Sequence, residues 1–183
     1  MLFPGGRLPL RIFEQRYLAM AKACLKDATP FGVCAIREGK EVGAPAVPFD
    51  VGTTEKIAEW DMPQLGVLQI VATGVARFRI LGQEVQRDGL LLGRVELLPP
   101  ESDAPIPSEF VSMVRLLERV IEQHPGLLAP PHRLESSAWV SARLAELLPL
   151  PLPAKQELLE LDDAAARLAR LNALLGANAR EAS

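Results

Sequence analysis

The chain of 183 residues is long enough for roughly one to one and a half domains, and its 49% hydrophobic content is enough to bury a core. Its 20 basic and 23 acidic residues leave a net charge of -3, which excludes a general electrostatic attraction to nucleic acid or anionic membranes. Cys24 and Cys34 fit neither a disulfide framework nor a redox pair, and no apolar run resembles a membrane span or signal peptide. We therefore expect a folded cytoplasmic protein without a membrane segment.

The first half of the chain predicts strands with one early helix. Apolar residues recur at three- and four-residue steps from Phe13 to Cys24, which predicts a helix from Glu14 to Asp27 with Phe13 and Tyr17 on its apolar face. Turn-bounded apolar runs then predict strands at residues 31–37, 51–60, 65–73, 75–86 and 90–98, with an irregular loop at 40–50.

Short strands in succession favour an antiparallel sheet rolled into a barrel, because a closed barrel has no exposed edges. Asp88-Gly89 predicts a hairpin turn, since glycine accepts the positive φ that such turns require. The alternation around Phe78 predicts that Phe78 and Ile80 face inward and that Arg77 and Arg79 face outward.

The second half predicts helices. Four prolines indicate a linker at residues 99–107, after which Ser108 is a predicted N-cap and Phe110 begins an apolar helical stripe. Further helices are predicted at 135–147, 154–161 and 163–175. The predicted organisation is a β subdomain at 1–98, the linker at 99–107, a helical bundle at 108–176 and a frayed tail at 177–183.

The opening string L-P-L-R-I-F-E-Q-R-Y, residues 8–17, resembles the signature of the amino-terminal domain of Lon proteases. Later landmarks extend this resemblance over nearly the whole chain: F-G-V at 31–33, V-G-T at 51–53, R-F-R-I at 77–80, L-P-L at 148–150 and K-Q-E-L-L-E at 155–160. The chain departs from the pattern at Gln15, where the family commonly has proline, and at 63–66, where an Asp-Gly turn is often seen. We interpret the signature residues as structural; they are Pro9, Arg11, Phe13, Glu14, Arg16 and Tyr17.

This resemblance implies an α+β fold, in which a PUA-like pseudo-β-barrel with an inserted helix precedes a carboxy-terminal helical bundle. It also implies recognition of protein substrates, a task that complete Lon enzymes combine with ATPase and peptidase modules. The printed sequence contains no G-x-x-x-x-G-K-[ST] phosphate loop. We therefore expect a stand-alone, non-enzymatic module that uses no cofactor or metal. Family members usually carry a strand-like segment before this point, so a start upstream of Met1 is left open.

Two apolar loops are the candidate surfaces for binding a protein partner or an unfolded polypeptide segment. Trp60, Met62 and Leu65 lie near a proline-broken turn, while Leu127 and Leu128 lie between two predicted helices. An exposed apolar patch with a polar border can bind unfolded segments with little sequence preference. The alternative, that both loops fold onto the core, has at least equal weight. A separate protease is a further possible partner, and the oligomeric state is left open.

Charged residues of the signature provide a third candidate surface. Arg11, Glu14 and Arg16 could reach a peptide from the junction between strand and helix. The favoured alternative places Glu14 in the first helical turn, where its carboxylate complements the helix dipole and pairs with a nearby arginine.

RNA binding is the principal alternative function, because PUA-like folds elsewhere bind RNA. Arg77, Arg79 and Arg94 could form a basic stripe, yet no aromatic residues interleave with them to stack bases. Nucleic acid is therefore disfavoured as a partner.

A hydrolase is a distant third possibility. His132 with Ser136 or Ser137 and Asp162 or Asp163 supply the components of a triad, but no nucleophile elbow surrounds either serine. The spacing of the two histidines and two cysteines matches no structural zinc site.

Overall fold

The computed structural model describes residues 1–40 and 42–181. The chain has a mixed α/β fold with antiparallel sheets and divides into two compact units, Met1–Pro99 and Pro100–Ser183. No helix among the described residues is long and apolar enough to cross a membrane.

The first unit consists of seven strands and one helix in the described part of the chain. They are β1 (Arg7–Ile12), α1 (Gln15–Asp27), β2 (Phe31–Val33), β3 (Ile36–Glu38), β4 (Val47–Pro48), β5 (Val51–Gln64), β6 (Val67–Val85) and β7 (Leu91–Leu97). The main sheet has the order β1-β6-β5-β2, with β7 also paired to β6, and β3 and β4 form a second small sheet. The run predicted as one strand at 31–37 is thus two strands, and the predicted loop at 40–50 contains β4.

Strand β6 is continuous through Gly74, where the sequence predicts a break between two strands. The reason is a second segment of backbone that crosses β6 at this position: Gly5 N donates to Gly74 O at 2.9 Å, and Gly74 N donates to Gly6 O at 3.0 Å. A Cβ on residue 74 would lie only 2.4 Å from the carbonyl oxygen of Phe3. Glycine is required here for the close approach of two backbones rather than for a turn.

Helix α1 packs on the sheet through a cluster of buried side chains, which comprises Ile12, Leu18, Ala21, Phe31, Leu68, Ile70 and Ala72. Tyr17 packs against this cluster, as predicted. The prediction for Phe13 is wrong, since its side chain is 52% exposed. Phe13 follows the buried Ile12 at the end of β1, so strand alternation turns it to the opposite face before the helix begins.

The arginines flanking Phe78 differ in their burial. Phe78 is buried and Arg79 is exposed, as predicted, while Ile80 is half-buried. Arg77, which the alternation places outward, is only 3% exposed. It pairs with Thr53 in the ladder and shares its face, and Thr53 Oγ1 donates a hydrogen bond to Leu2 O at 2.8 Å. The amino-terminal segment therefore covers a sheet face that the local pattern marks as solvated.

The second unit contains a 3-10 turn and four helices in the described part of the chain. They are the turn Ser108–Phe110, α2 (Val111–Gln123), α3 (Ser137–Leu147), α4 (Leu152–Glu160) and α5 (Ala164–Glu181). Ser108 makes no side-chain cap, whereas Ser136 caps α3 by accepting a hydrogen bond from Trp139 N at 3.0 Å. Helix α5 continues past its predicted end at Leu175, and residues 182–183 of the predicted tail lie outside the described residues.

Arg167 is a buried hub of the second unit. Its guanidinium is fully buried and donates to Leu158 O at 2.8 Å, to Leu161 O at 2.9 Å and to both carboxylate oxygens of Glu101. Ser141 Oγ lies 3.3 Å from the same group. These contacts fix α3, α4 and α5 to the segment before α2.

Candidate functional site

An open groove of about 430 Å³ lies on the main sheet of the first unit. Three adjacent strands line it, with Pro9 and Arg11 on β1, Val71 on β6, and Trp60 and Asp61 on β5. The groove brings one of the predicted surface residues, Trp60, together with signature residues of β1.

The register of the ladder explains the groove. Most of its lining lies in two rows on one face: Pro9, Val71 and Glu59 form one row across the three strands, and Arg11, Gln69 and Asp61 form the next row on that face. Leu10, Ile70 and Trp60 form the row between them, which points to the opposite face. On that face Ile70 is only 2% exposed, whereas Trp60 at the end of the row is 61% exposed. The groove is thus a consequence of strand pairing between residues that are distant in sequence.

All three apolar residues of the first predicted surface are exposed. Trp60 and Met62 lie on β5 with 61% and 39% of their surface exposed, and Leu65, in the turn to β6, is 97% exposed. Asp61 Oδ1 accepts a hydrogen bond from Met62 N at 2.8 Å. These side chains stay in solvent instead of folding onto the core.

The second predicted surface lies in the second unit, between α2 and α3. Leu127 is 51% exposed, and Leu128 is half-buried. The His132 Nε2 atom lies 3.2 Å from Leu128 O, and the His132 ring contacts that of Trp139. Only part of this loop is therefore available as an apolar surface.

The signature residues make internal contacts. Arg16 pairs with Glu14 at 2.8 Å, its guanidinium lies 4.7 Å from the centre of the Tyr17 ring, and its Nη1 donates to Gly89 O at 2.8 Å. Gly89 has φ of +85° in the hairpin turn between β6 and β7. Arg16 thus ties the start of α1 to that turn, whereas the exposed Arg11 makes no side-chain hydrogen bond or ion pair within the described ranges.

The arginines of the predicted basic stripe do not form one. Arg77 is buried, and the exposed Arg79 lies across from Glu96 in the β6–β7 ladder. The exposed Arg94 shares its face of β7 with Glu96. Acidic neighbours therefore interrupt the positive charge on this face.

The histidine and serines suggested for a hydrolytic triad form hydrogen bonds with other groups. Ser136 Oγ donates to Asp103 Oδ1 at 2.6 Å, Ser137 Oγ donates to Pro105 O at 3.0 Å, and His132 Nε2 lies against a backbone carbonyl. No group of three or more potential metal ligands occurs in residues 1–40 and 42–181. Burial raises the pKa of the Cys34 thiol to about 11, with a smaller effect from Asp50, so this thiol is protonated at neutral pH.

Glu55 is a site that the sequence reasoning missed. Its side chain is completely buried, and neither carboxylate oxygen has a hydrogen-bond partner among the described residues. Burial raises its pKa to about 7, against a smaller opposing effect of the amino-terminal charge. The sequence signal for this burial was the alternation of Val51, Thr53 and Glu55 along one face of β5, which places Glu55 on the same face as a buried valine.

Known proteins resemble this chain along nearly all of its length. Residues 1–177 match the family described as the ATP-dependent protease La (LON) substrate-binding domain. The chain belongs to this family. The Lon family therefore accounts for the order of landmarks in the sequence, and it connects the chain with binding of protein substrates.

Individual Lon relatives agree with this membership. The Lon protease of Anaeromyxobacter dehalogenans is 29% identical over 176 residues, which cover 92% of this chain and 21% of that protein. A Lon N-terminal domain protein from Xanthomonas campestris has a solved structure with a TM-score of 0.79 and 36% identity, covering 94% of this chain and 92% of that one.

The amino-terminal domain of a Mycobacterium avium complex Lon protease has a TM-score of 0.65 at 17% identity, covering 93% and 90% of the two chains, and shows a similar fold. The chain spans about a fifth of the length of the curated relatives it matches. The matched region is the substrate-binding domain of the Lon family.

Proposed function

We propose that this Lon substrate-binding domain reversibly captures exposed apolar segments of client proteins and performs no catalysis of its own. The observation that carries the proposal is the exposure of Trp60, Met62 and Leu65 beside an open groove on the sheet. Covering apolar side chains that are exposed to solvent lowers the free energy, which favours binding of a partner. Such binding requires no cofactor.

Leu127 and Leu128 form a second proposed contact surface, in the second unit. The exposed half of Leu127 gives this surface less apolar area than the one around Trp60. A separate protease that receives the client is compatible with this function, because capture and cleavage can reside in different chains.

The finer architecture is part of the same proposal. We assign residues 1–98 to a PUA-like pseudo-barrel, 99–107 to a linker and 108–181, to the end of α5, to a helical bundle. The continuous strand β6, which pairs with three other strands, supports the first assignment, and helices α2 to α5 support the third.

The test measures binding of a permanently unfolded client, reduced and carboxymethylated lactalbumin, by fluorescence anisotropy. We expect Trp60→Ala to weaken binding about tenfold, since an exposed tryptophan is a common binding hot spot. Leu97→Ala is the matched control because Leu97 is 63% exposed on a different strand. Wild-type protein that fails to bind the client would overturn the function, and folded Trp60→Ala and Leu127→Ala variants with unchanged affinity would overturn both surfaces.

The salt dependence of the binding affinity distinguishes this function from RNA binding. Apolar capture should change little between about 50 mM and about 500 mM salt, whereas binding led by phosphate contacts falls steeply over that range. A cross-linking pull-down with and without nuclease extends the test to lysate. Loss of all partners on nuclease treatment would favour RNA.

A further inference from the structure

The outer edge of β5 is open over its second half. On one side β5 pairs with β6 along almost its whole length, but on the other side only Thr53–Glu55 pair with β2. From Lys56 to Gln64 no described strand borders this second side. Residues 58–65 are all exposed. The backbone N–H and C=O groups that point away from β6 therefore face solvent. Two register shifts interrupt the ladder, between Ile57 and Glu59 and between Asp61 and Gln64, so the regular part that an additional strand can pair with is Glu59–Asp61.

The open stretch is only partly protected against pairing. Proteins commonly block a sheet edge with proline or charged side chains, and β1 follows this rule with Pro9 between Arg7 and Arg11. The open stretch of β5 carries charged side chains at Lys56, Glu59 and Asp61, but its proline, Pro63, lies near its end. From Lys56 to Met62 every backbone amide therefore keeps its N–H donor.

The side chains along this stretch define what could pair with it. Trp60 lies between Glu59 and Asp61 in the regular part of the strand, so it points to the face opposite the two carboxylates. Met62 follows at the second register shift and is 39% exposed. Glu59 forms an ion pair with Arg7. Asp61 accepts a hydrogen bond from the neighbouring Met62 N but has no cationic partner in the described part of the chain. One face of the edge thus presents Trp60, and the other presents Asp61, which forms no ion pair with any described residue although Arg11 lies in the same row two strands away.

We propose that the client binds as an extended strand that adds antiparallel or parallel to the β5 edge, with apolar side chains beside Trp60 and Met62 and a basic side chain beside Asp61. This inference rests on the proposed function and specifies its occupant. Main-chain hydrogen bonds supply affinity for any extended segment, and the alternating side chains supply selectivity. Cross-strand neighbours share a face, so the client must alternate apolar and polar residues in phase with β5.

The test uses fluorescein-labelled peptides of the sequence Thr-Val-Thr-Phe-Lys-Val-Thr. In an extended conformation this peptide presents Val, Phe and Val on one face and its lysine on the other. One derivative carries N-methyl groups on alternate amides, which remove the donors of one peptide edge and leave every side chain in place. A second derivative carries N-methyl groups on the remaining amides instead, which removes the donors of the opposite edge. A third derivative replaces lysine with glutamate.

We expect N-methylation of one of the two edges to weaken binding at least about tenfold, because a strand added to a sheet donates from a single edge. Replacing lysine with glutamate should weaken binding several-fold, and Asp61→Asn should remove that difference between the two peptides. Trp60→Ala should lower the affinity for every peptide, whereas Leu97→Ala should not.

Equal affinity of the methylated and unmethylated peptides would overturn strand addition, and the apolar capture of the proposed function would stand. Binding of the unfolded client without binding of any peptide would have the same meaning. A protein that binds neither the client nor the peptides would contradict the proposed function as well. A lysine preference that persists in Asp61→Asn would overturn the role of Asp61.

Discussion

At the scale of single residues, Glu55 is the side chain most at odds with its surroundings. A carboxylate without hydrogen-bond partners is costly to bury, so the folded state favours the neutral acid. The pKa is raised from 4.5 to about 7, which means that between these values the folded protein holds a proton that the unfolded chain releases. The free energy of unfolding must therefore fall as pH rises through this window and level off above it.

We expect this loss to be roughly 2–4 kcal/mol between about pH 4.5 and pH 8 from Glu55 alone. In Glu55→Gln the amide stays neutral at every pH, so this contribution to the pH dependence of the free energy of unfolding should disappear. Urea unfolding at a series of pH values measures the effect. Glu84→Gln is the control because Glu84 is exposed on β6, and an unchanged slope in Glu55→Gln would refute the assignment.

Gly74 shows how one missing methyl group determines the path of a whole segment. Its Cα hydrogens face the Phe3 carbonyl, and the side chain of Thr53 lies on the same side. A Cβ at 2.4 Å from a backbone oxygen cannot be relieved by rotating a side chain. Residues 2–6 would have to move away from β6.

We expect Gly74→Ala to destabilise the protein by about 2 kcal/mol or more, with the increase in hydrogen exchange concentrated in residues 2–6. Gly82→Ala is a matched control, since Gly82 lies in the same strand and its added Cβ would meet its nearest neighbour at an ordinary 3.5 Å. Hydrogen exchange with mass spectrometry distinguishes the two variants. Similar behaviour of both would show that the loss comes from the strand itself.

At the scale of elements, helix α5 carries two arginines that differ in burial. Arg167 is fully buried on Glu101, while Arg170 pairs with Glu157 in solvent, where Nε lies 2.7 Å from Oε1. Both pairs link α5 to another segment of the same unit. Arg167 also donates to two backbone carbonyls, whereas Arg170 bonds only to Glu157 among the described residues, so the two variants compare a buried network with a single exposed pair.

We expect Arg167→Ala to lower the free energy of unfolding by about 3–5 kcal/mol, because it leaves the Glu101 carboxylate buried without its cation. Arg170→Ala should cost much less, as is usual for exposed pairs. Urea denaturation of both variants makes the comparison. Equal losses would mean that the buried network around Arg167 contributes no more than the exposed pair, since alanine itself favours the helix.

At the scale of the whole molecule, sequence reasoning performed well where the information is local and poorly where it is not. The signature around Phe13 and the succession of landmarks identify the family, since each is a short string. The continuity of β6 through Gly74 and the burial of Arg77 both depend on a segment some seventy positions away in the chain, roughly the separation of the Phe3 and Gly74 contact.

The candidate site follows the same division. The apolar side chains of Trp60, Met62 and Leu65 could be selected from their place beside a proline. The groove and the open edge of β5 could not, because both are set by which strands pair and where the pairing stops. A local pattern shows which face a side chain takes, while the neighbours of a strand are decided by the rest of the chain.

The pairing of β1 with β6 also has a consequence for the protein as it is made. Arg7 lies across from Thr73, so the first strand has no sheet partner until 66 further residues, the difference between these two positions, have been synthesised. At about 5–20 residues per second this delay lasts from roughly three to thirteen seconds. Until β6 is made, Leu2 and Phe3, which are buried in the finished protein, belong to an unpaired chain. During its own synthesis, this domain is therefore for some seconds an unfolded segment of the kind that we propose it binds.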